Sequence, residues 1–408
     1  MRYLAYLVSS LSLAFVPLTS CSMDFPWTNK EPIPFEQPLP INTQPRRLAL
    51  GSDFAIGVKE DGTVWSWGSG SKGELGMGKR ENRPTPQAIP NMTDFVEVAV
   101  GSGHVLALRK DGTVWSWGNN EKGALGYKEE GYILVNNVLN TKSYQSIQLT
   151  PKQIPDLKEV VSIAAGYSYS LALDKQDRVW GWGSESYILK NVFDKTIQKE
   201  PKVVYEDKSI AKIVADRSAE TSIIFNDGTA IIFPVGRSEM FDDVKEGTLL
   251  KDYRIYRVPF RDVVDVSMGG AGSLYALLRK DGTVWALGMN KFGALGQCDY
   301  KRYKGFVRVK NLSRIKKINT TIAWDEEGYL WHWGVNIYEK LLLKQLVGNR
   351  YNGHEPCPIR GIKTDLSFFV DGHLNQVNKV IGLDNGQVLF LEQRRSKKAL
   401  HLLNWSWK

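Results

Sequence analysis

The chain has 408 residues, 42% hydrophobic and 24% charged, with a formal net charge of +9 at pH 7. This is the composition of a globular protein, and the length suits two or three average domains or one large repetitive one. Three cysteines, Cys21, Cys298 and Cys357, exclude both a disulfide scaffold and a multi-cysteine metal cluster.

The amino-terminal MRYLAYLVSSLSLAFVPLTSC has Arg2 near its start, no acidic residue and an apolar run over residues 11–18. That run is too short for a bilayer, which takes about twenty residues, and reads as the core of a signal peptide. Its ending, Leu18-Thr19-Ser20-Cys21, resembles the lipobox of bacterial lipoproteins. The resemblance implies cleavage after residue 20 and diacylglycerol on Cys21. It also implies a lipidated tether over 21–30 and a place on the bacterial cell envelope. Ser22 favours the outer membrane or cell surface over the inner membrane. Several acyl chains at about 0.8 kcal/mol per buried methylene make a durable anchor.

Further along, DGTVWSWG occurs at 61–68 and again at 111–118, and DGTVWALG at 281–288. Seven polar turn sites lie between apolar runs: Asp61-Gly62, Asp111-Gly112, Gln176-Asp177, Asp227-Gly228, Asp281-Gly282, Glu327-Gly328 and Asn385-Gly386. Asp-Gly between β-formers signals a tight hairpin in which both turn residues accept positive φ. A further apolar run precedes each hairpin, as in RLALG and VEVAVG, and Pro-flanked pieces such as TPQAIP (85–90) and TPKQIP (150–155) follow some. Proline belongs on edge strands, so these pieces form the outermost strand. Four antiparallel strands repeated seven times predict an all-β chain, a seven-bladed β-propeller. In it the tryptophan strand sets Trp65 and Trp67 on one side of the blade, Val64 and Ser66 on the other. Nine of the thirteen tryptophans occupy this strand (Trp65, Trp67, Trp115, Trp117, Trp180, Trp182, Trp285, Trp331, Trp333) and are expected to cement neighbouring blades.

The segments WSWGSGSKGELG (65–76), WSWGNNEKGALG (115–126) and WALGMNKFGALG (285–296) resemble repeats of the regulator of chromosome condensation family. Gly62, Gly68, Gly112, Gly118, Gly183, Gly282, Gly288 and Gly334 fall on that pattern. The third, fourth, sixth and seventh units lack the Gly-x-Leu-Gly tail. The resemblance implies a seven-bladed propeller over residues 31–408, with repeats from about residue 48. Residues 31–47 are expected to donate a ring-closing strand to the last blade, with residues 400–407 as competitor for that edge.

Loop insertions follow the third strands at about 127–149, 184–200, 234–257 and 335–356, and so gather on one face, where binding commonly sits. They carry Tyr127, Tyr132, Tyr144, Tyr187, Tyr253, Tyr338 and Tyr351, residues suited to anchoring a protein partner. The alternative is that these aromatics only pin the loops down. A basic run, Lys301, Arg302, Lys304, Arg308, Lys310, Arg314, Lys316 and Lys317, suits an anionic polymer or lipid, or is a solvated face. Cys298 and Cys357, in adjacent units, are candidates for a disulfide. Phosphate loops, nucleophile elbows and metal-binding helices are missing, and His354 with Cys357 falls short of a zinc site. No cofactor, metal or catalytic residue is therefore expected.

The nuclear member of the family is an exchange factor for a small GTPase and binds chromatin. An exported lipoprotein would meet neither, so no nucleic acid is expected. A secreted bacterial class of relatives inhibits β-lactamases with one propeller face. The reading is thus a monomeric, lipid-anchored, non-enzymatic protein-binding propeller. Its alternatives are an anionic-polymer or lipid binder and a secreted-type enzyme inhibitor.

Overall fold

The computed structural model describes residues 37–406 except 52–53, 128–132, 137–141, 185, 191–196, 217–218, 235–254, 270–273, 291, 335–354, 364–365, 371–377, 384–386 and 395–396. The chain divides into residues 1–32 and 33–408. The second unit holds seven four-stranded antiparallel sheets, over 48–88, 95–153, 160–206, 210–257, 263–308, 315–363 and 366–406. These are the seven blades. First strands of successive blades lie against one another, as Leu48–Leu50 does on Phe95–Val100 and that strand on Val160–Ala165, so they surround the axis. The Pro-flanked strands Arg83–Ala88 and Ile147–Gln153 are outermost in their blades.

The described hairpin turns, those of blades one to six, follow one plan, with Asp177 in the glycine's place in blade three, and it differs from the expected two-residue turn. Lys59 accepts a hydrogen bond from Gly62 N–H (3.0 Å) and donates to the Thr63 carbonyl (2.9 Å), enclosing a three-residue loop. Only the glycine has positive φ, +80° at Gly62 and +82° at Gly112, while the aspartate before it stays in ordinary backbone space. Such loops put their left-handed residue last, where glycine adopts it without strain. The aspartate instead acts through its side chain: Asp61 Oδ1 accepts from Thr63 N–H (2.9 Å) and Thr63 Oγ1 (2.7 Å). Thr63 Oγ1 in turn accepts from Trp65 Nε1 (2.9 Å). In blades three and six a carboxylate at the end of the second strand bonds the indole directly, Asp174 to Trp180 (2.7 Å) and Asp325 to Trp331 (2.9 Å).

Five apolar clusters fill the junctions from blade one to blade six. The alternation within the tryptophan strand is as expected, but the paired indoles are not equivalent. The second of each pair is sealed, with Trp67, Trp117, Trp182 and Trp333 at most 1% exposed, whereas the first is half-buried near the turns. Full burial of an indole removes on the order of 200 Å² from water, so the second position carries most of the packing.

Ring closure departs from the expected donated strand. The outer position of blade seven is filled by Lys397–Ser406, which pairs along the whole of Gln387–Arg394. Residues 37–47 lie in no strand of a blade. Leu39 N–H bonds the Lys280 carbonyl (3.0 Å) and Asn42 N–H the Val264 carbonyl (3.3 Å), both in blade five. Four residues on, the Arg46 carbonyl accepts from Val98 N–H (2.9 Å) in blade two. The segment is therefore a strap running from one side of the inner strands to the other. Leu39 and Ile41 pack on the clusters around blade five, and Pro38, Pro40 and Pro45 lack the N–H groups an added strand would need.

Candidate functional site

Because strands alternate in direction, connections from the third to the outer strand emerge at the end of the blade opposite the Asp-Gly turns. In blades one, two and five they begin with the tail motif. Leu75, Leu125 and Leu295 of the tails are fully buried. Asn120 and Asn290 brace two of them, their Oδ1 atoms accepting from Leu125 N–H and Leu295 N–H (both 3.0 Å).

Each tail then serves the next blade. Trp117 Nε1 donates to the Glu74 carbonyl (2.7 Å), Trp182 to Ala124 (2.8 Å) and Trp333 to Ala294 (2.9 Å). The closing glycines, Gly76 and Gly126, have φ of +67° and +82° and stand where a Cβ would press on the indole of that neighbour. Sequence reading recognised the tail and the tryptophan as separate features of the repeat. Their partnership across a junction requires the spatial register.

Blade three has no tail. The helix Tyr187–Lys190 puts Ile188 and Leu189 into the junction with blade four, beside Phe233, which stands where other blades have tryptophan. The insertion after the third strand of blade two carries a two-stranded sheet, Ile133–Asn136 with Lys142–Gln145. Tyr144 is on that second strand, paired with Leu134, and Tyr187 opens the helix. Tyr132, Tyr253, Tyr338 and Tyr351 lie outside the described residues, as do the side chains of Tyr144 and Tyr187. Tyr127 is buried, with its hydroxyl 3.4 Å from the Ser116 carbonyl and the Lys152 ammonium over its ring, so it pins the start of its loop.

The eight basic residues from 301 to 317 do not form one surface. Lys301, Arg302 and Lys304 are exposed beyond the tail of blade five, and Arg308 is half-buried on the outer strand Val307–Arg308. Lys310 and Arg314 lie on the way to blade six at the opposite end, where Arg314 pairs with Glu326. Lys316 and Lys317 sit on the first strand of blade six, Ile315–Asn319. A run that crosses the disc from one end of a blade to the other cannot present its charges together.

Cys298 and Cys357 are joined by a disulfide, with Cα atoms 4.1 Å apart, tying the loop after the blade-five tail to the outer strand of blade six. Cys298 N–H also bonds the Pro356 carbonyl (3.0 Å). Cys21 and residues 1–30 lie outside the described residues.

Several titratable groups lie at junctions. Glu97, 6% exposed, accepts from Ser162 Oγ (3.4 Å) and Ile163 N–H (3.3 Å) of blade three. Burial pushes its carboxyl up to about 7, against the pull of the Arg46 charge and of those hydrogen bonds. For Asp174 burial also acts upward, but hydrogen bonds from Trp180 and Arg178 outweigh it and hold the carboxyl below its ordinary value. His104 is buried and lies 3.1 Å from Ser170 Oγ of blade three. Tyr169 bonds the Glu220 carbonyl, and Tyr275 donates to Glu220 Oε1 (2.6 Å), linking blades three, four and five. Among the described residues, no group of three His, Cys, Asp or Glu could hold a metal ion, and no helix is long and apolar enough to cross a membrane.

The sequence model of the regulator of chromosome condensation (RCC1) repeat matches residues 61–108 and 111–173. A second model of the same repeat matches 46–74, 95–124 and 160–187. Human E3 ubiquitin-protein ligase HERC2 is 36% identical over 203 residues, 47% of this chain and 4% of that protein. The chain therefore spans a small fraction of that relative's length. Human WBSCR16 superposes with a TM-score of 0.62 at 20% identity, covering 82% of this chain and 86% of its own. Yeast RCC1 (Prp20), solved bound to Kap60, gives 0.60 at 19% identity, covering 92% and 85%. At such identities the structural likeness concerns the fold. RCC1 repeats are thus matched between residues 46 and 187, in the first three blades, and the fold that carries them is a β-propeller of seven like blades.

Proposed function

We propose that the protein is a lipid-anchored, non-enzymatic binding module of a bacterial cell envelope, holding a protein partner with its insertion-bearing face. The observation that carries this reading is that the third strands of blades two, three, four and six, from which the long connections start, all end opposite the hairpin turns. A rigid ring bearing long loops at one end is suited to recognition. RCC1-like propellers are a protein-binding and regulatory fold; the yeast protein was solved with Kap60 and studied for binding to Gsp1p and histones. The anchor rests on the lipobox ending at Cys21, and the absence of a catalytic motif in the sequence supports a non-enzymatic role.

The test uses the chain without residues 1–21 as immobilised bait for envelope extract. The wash is at about 0.5 M salt, where the Debye length falls below roughly 5 Å. A discrete protein retained through the wash supports the reading and names the target. Anionic polymer or lipid that the salt releases would replace it with a charge-driven function. A separate experiment addresses the anchor: labelled palmitate is expected in the wild-type chain and not in Cys21→Ser.

A further inference from the structure

Among the described residues, five large apolar side chains are exposed: Val161, Tyr167, Met289, Phe292 and Tyr300. Three of them belong to the single connection that follows the third strand of blade five. Met289 is 52% exposed, Phe292 40% and Tyr300 51%. Asn290 ties the two ends of the loop together, its amide donating to the carbonyls of Asp299 (3.0 Å) and Lys301 (2.9 Å). That bond sets Met289, just before Asn290, beside Tyr300, which lies between the two acceptors. The disulfide from Cys298 to Cys357 holds the same loop against blade six.

The repeats supply an internal control. Blades one and two build the same tail, yet have Ser69 and Lys72, or Asn119 and Lys122, where blade five has Met289 and Phe292. The tail geometry therefore does not call for apolar residues at these positions. Their exposed neighbours are cationic: Lys301, Arg302 and Lys304. Asp299, the carboxylate within the loop, is half-buried and accepts hydrogen bonds from Tyr303 Oη (2.9 Å) and Lys301 N–H (3.1 Å).

We propose that this blade-five loop rests on an anionic phospholipid surface, with Met289, Phe292 and Tyr300 entering the interface and Lys301, Arg302 and Lys304 meeting the headgroups. Charge complementarity points to an anionic surface, since Lys301, Arg302 and Lys304 of the loop are all exposed while its own carboxylate, Asp299, is half-buried. Size favours lipid over protein. A stable protein interface covers about 800 Å² per partner, more than three apolar tips supply. A few apolar side chains ringed by Lys and Arg suffice for a bilayer surface. The proposal is independent of an anchor on Cys21.

The test uses the full chain carrying Cys21→Ser, with vesicles of phosphatidylcholine alone or mixed with phosphatidylglycerol. Every chain compared shares residues 1–30, so differences report the loop. Met289→Ser/Phe292→Ser/Tyr300→Ser is expected to lower partition onto mixed vesicles at least about tenfold. Lys301→Glu/Arg302→Glu/Lys304→Glu is expected to abolish the preference for phosphatidylglycerol, with about a hundredfold loss or more. Lys72→Glu, on the equivalent loop of blade one, leaves binding unchanged. Near-ultraviolet circular dichroism checks that the ring stays folded, as substitution of exposed side chains should allow. Vesicle binding equal to the parent chain in both triple variants overturns the proposal. In cells, a photo-crosslinking benzoylphenylalanine in place of Phe292 is expected to capture phospholipid. Capture of one discrete protein would overturn the proposal and give the patch to that partner.

Discussion

The junction between blades two and three and the one between blades three and four bury comparable apolar clusters by different means. In the first, the tail of blade two brings Leu125 inside and offers the Ala124 carbonyl to Trp182. In the second there is no tail. A short helix supplies Ile188 and Leu189, and Phe233, with no polar atom to satisfy, replaces the tryptophan. Tail and indole are thus one device divided between neighbours. Tails in blades one, two and five face Trp117, Trp182 and Trp333, while the tail-less blades three and four precede Phe233 and Leu287. Trp67 is the exception, because blade seven has no such tail.

The largest expected effect tests the packing common to both junctions. Trp182→Ala should cost about 3–5 kcal/mol, read from denaturant unfolding. Leu125→Ala and Ile188→Ala should each cost about 2–5 kcal/mol. A much smaller loss for Ile188 would mean that the helix merely covers the junction from outside. Next in size is a pH effect in the first junction, where Glu97 of blade two meets Ser162 and Ile163 of blade three. The Glu97 carboxyl is raised to about 7 when folded, above an unfolded value near 4.3. The folded state therefore holds the proton more tightly, and its stabilising contribution is complete below about pH 4. Stability should decline between about pH 4.5 and 7, by about 3 kcal/mol at most. Glu97→Gln should flatten that part of the profile, and an unchanged slope would assign it to other groups.

Sharper still, though smaller, is the exchange that removes the indole bond and keeps an aromatic ring. Trp182→Phe takes from the Ala124 carbonyl one of its two donors, leaving the Ser170 hydroxyl (2.8 Å), and should cost about 1 kcal/mol beyond the lost packing. Phe233→Leu, which orphans nothing, should stay below about 1.5 kcal/mol. Equal losses would break the distinction between the two junctions. Thr63→Val, which cuts the relay from Asp61 to Trp65 at a half-exposed site, should cost no more than about 1 kcal/mol in thermal unfolding.

Much of the ring is legible in the sequence because each repeat states its strands locally. The Val-Trp-Ser-Trp alternation, the glycine of the turn and the prolines of the outer strand each act within a few residues. What was not legible depends on contacts between repeats. Nothing in YILK marks Ile188 and Leu189 as stand-ins for a tail, since they replace its shape and not its motif. The three prolines of residues 37–47 gave the outline of an outer strand, yet hydrogen bonds to Val264 and Val98 make that segment a strap. The basic run looked continuous because a sequence does not show that it passes from one end of blade five to the other end of blade six. The acceptor of each indole bond to a tail lies 39–58 residues away, beyond any local pattern.

Among the described residues, each of the seven sheets is built from strands of one consecutive stretch of chain. Synthesis can therefore complete the ring one sheet at a time. A nascent chain emerging at about 5–20 residues per second exposes a whole sheet every few seconds, and its pairings close over short sequence distances. The strap must wait until the first two strands of blade five have emerged, about 220–240 residues after it was made, as the bonds from Leu39 to Lys280 and from Asn42 to Val264 require. Its docking thus records that four of the seven sheets and the start of the fifth have been made, and arrest of synthesis before that point would leave the strap undocked.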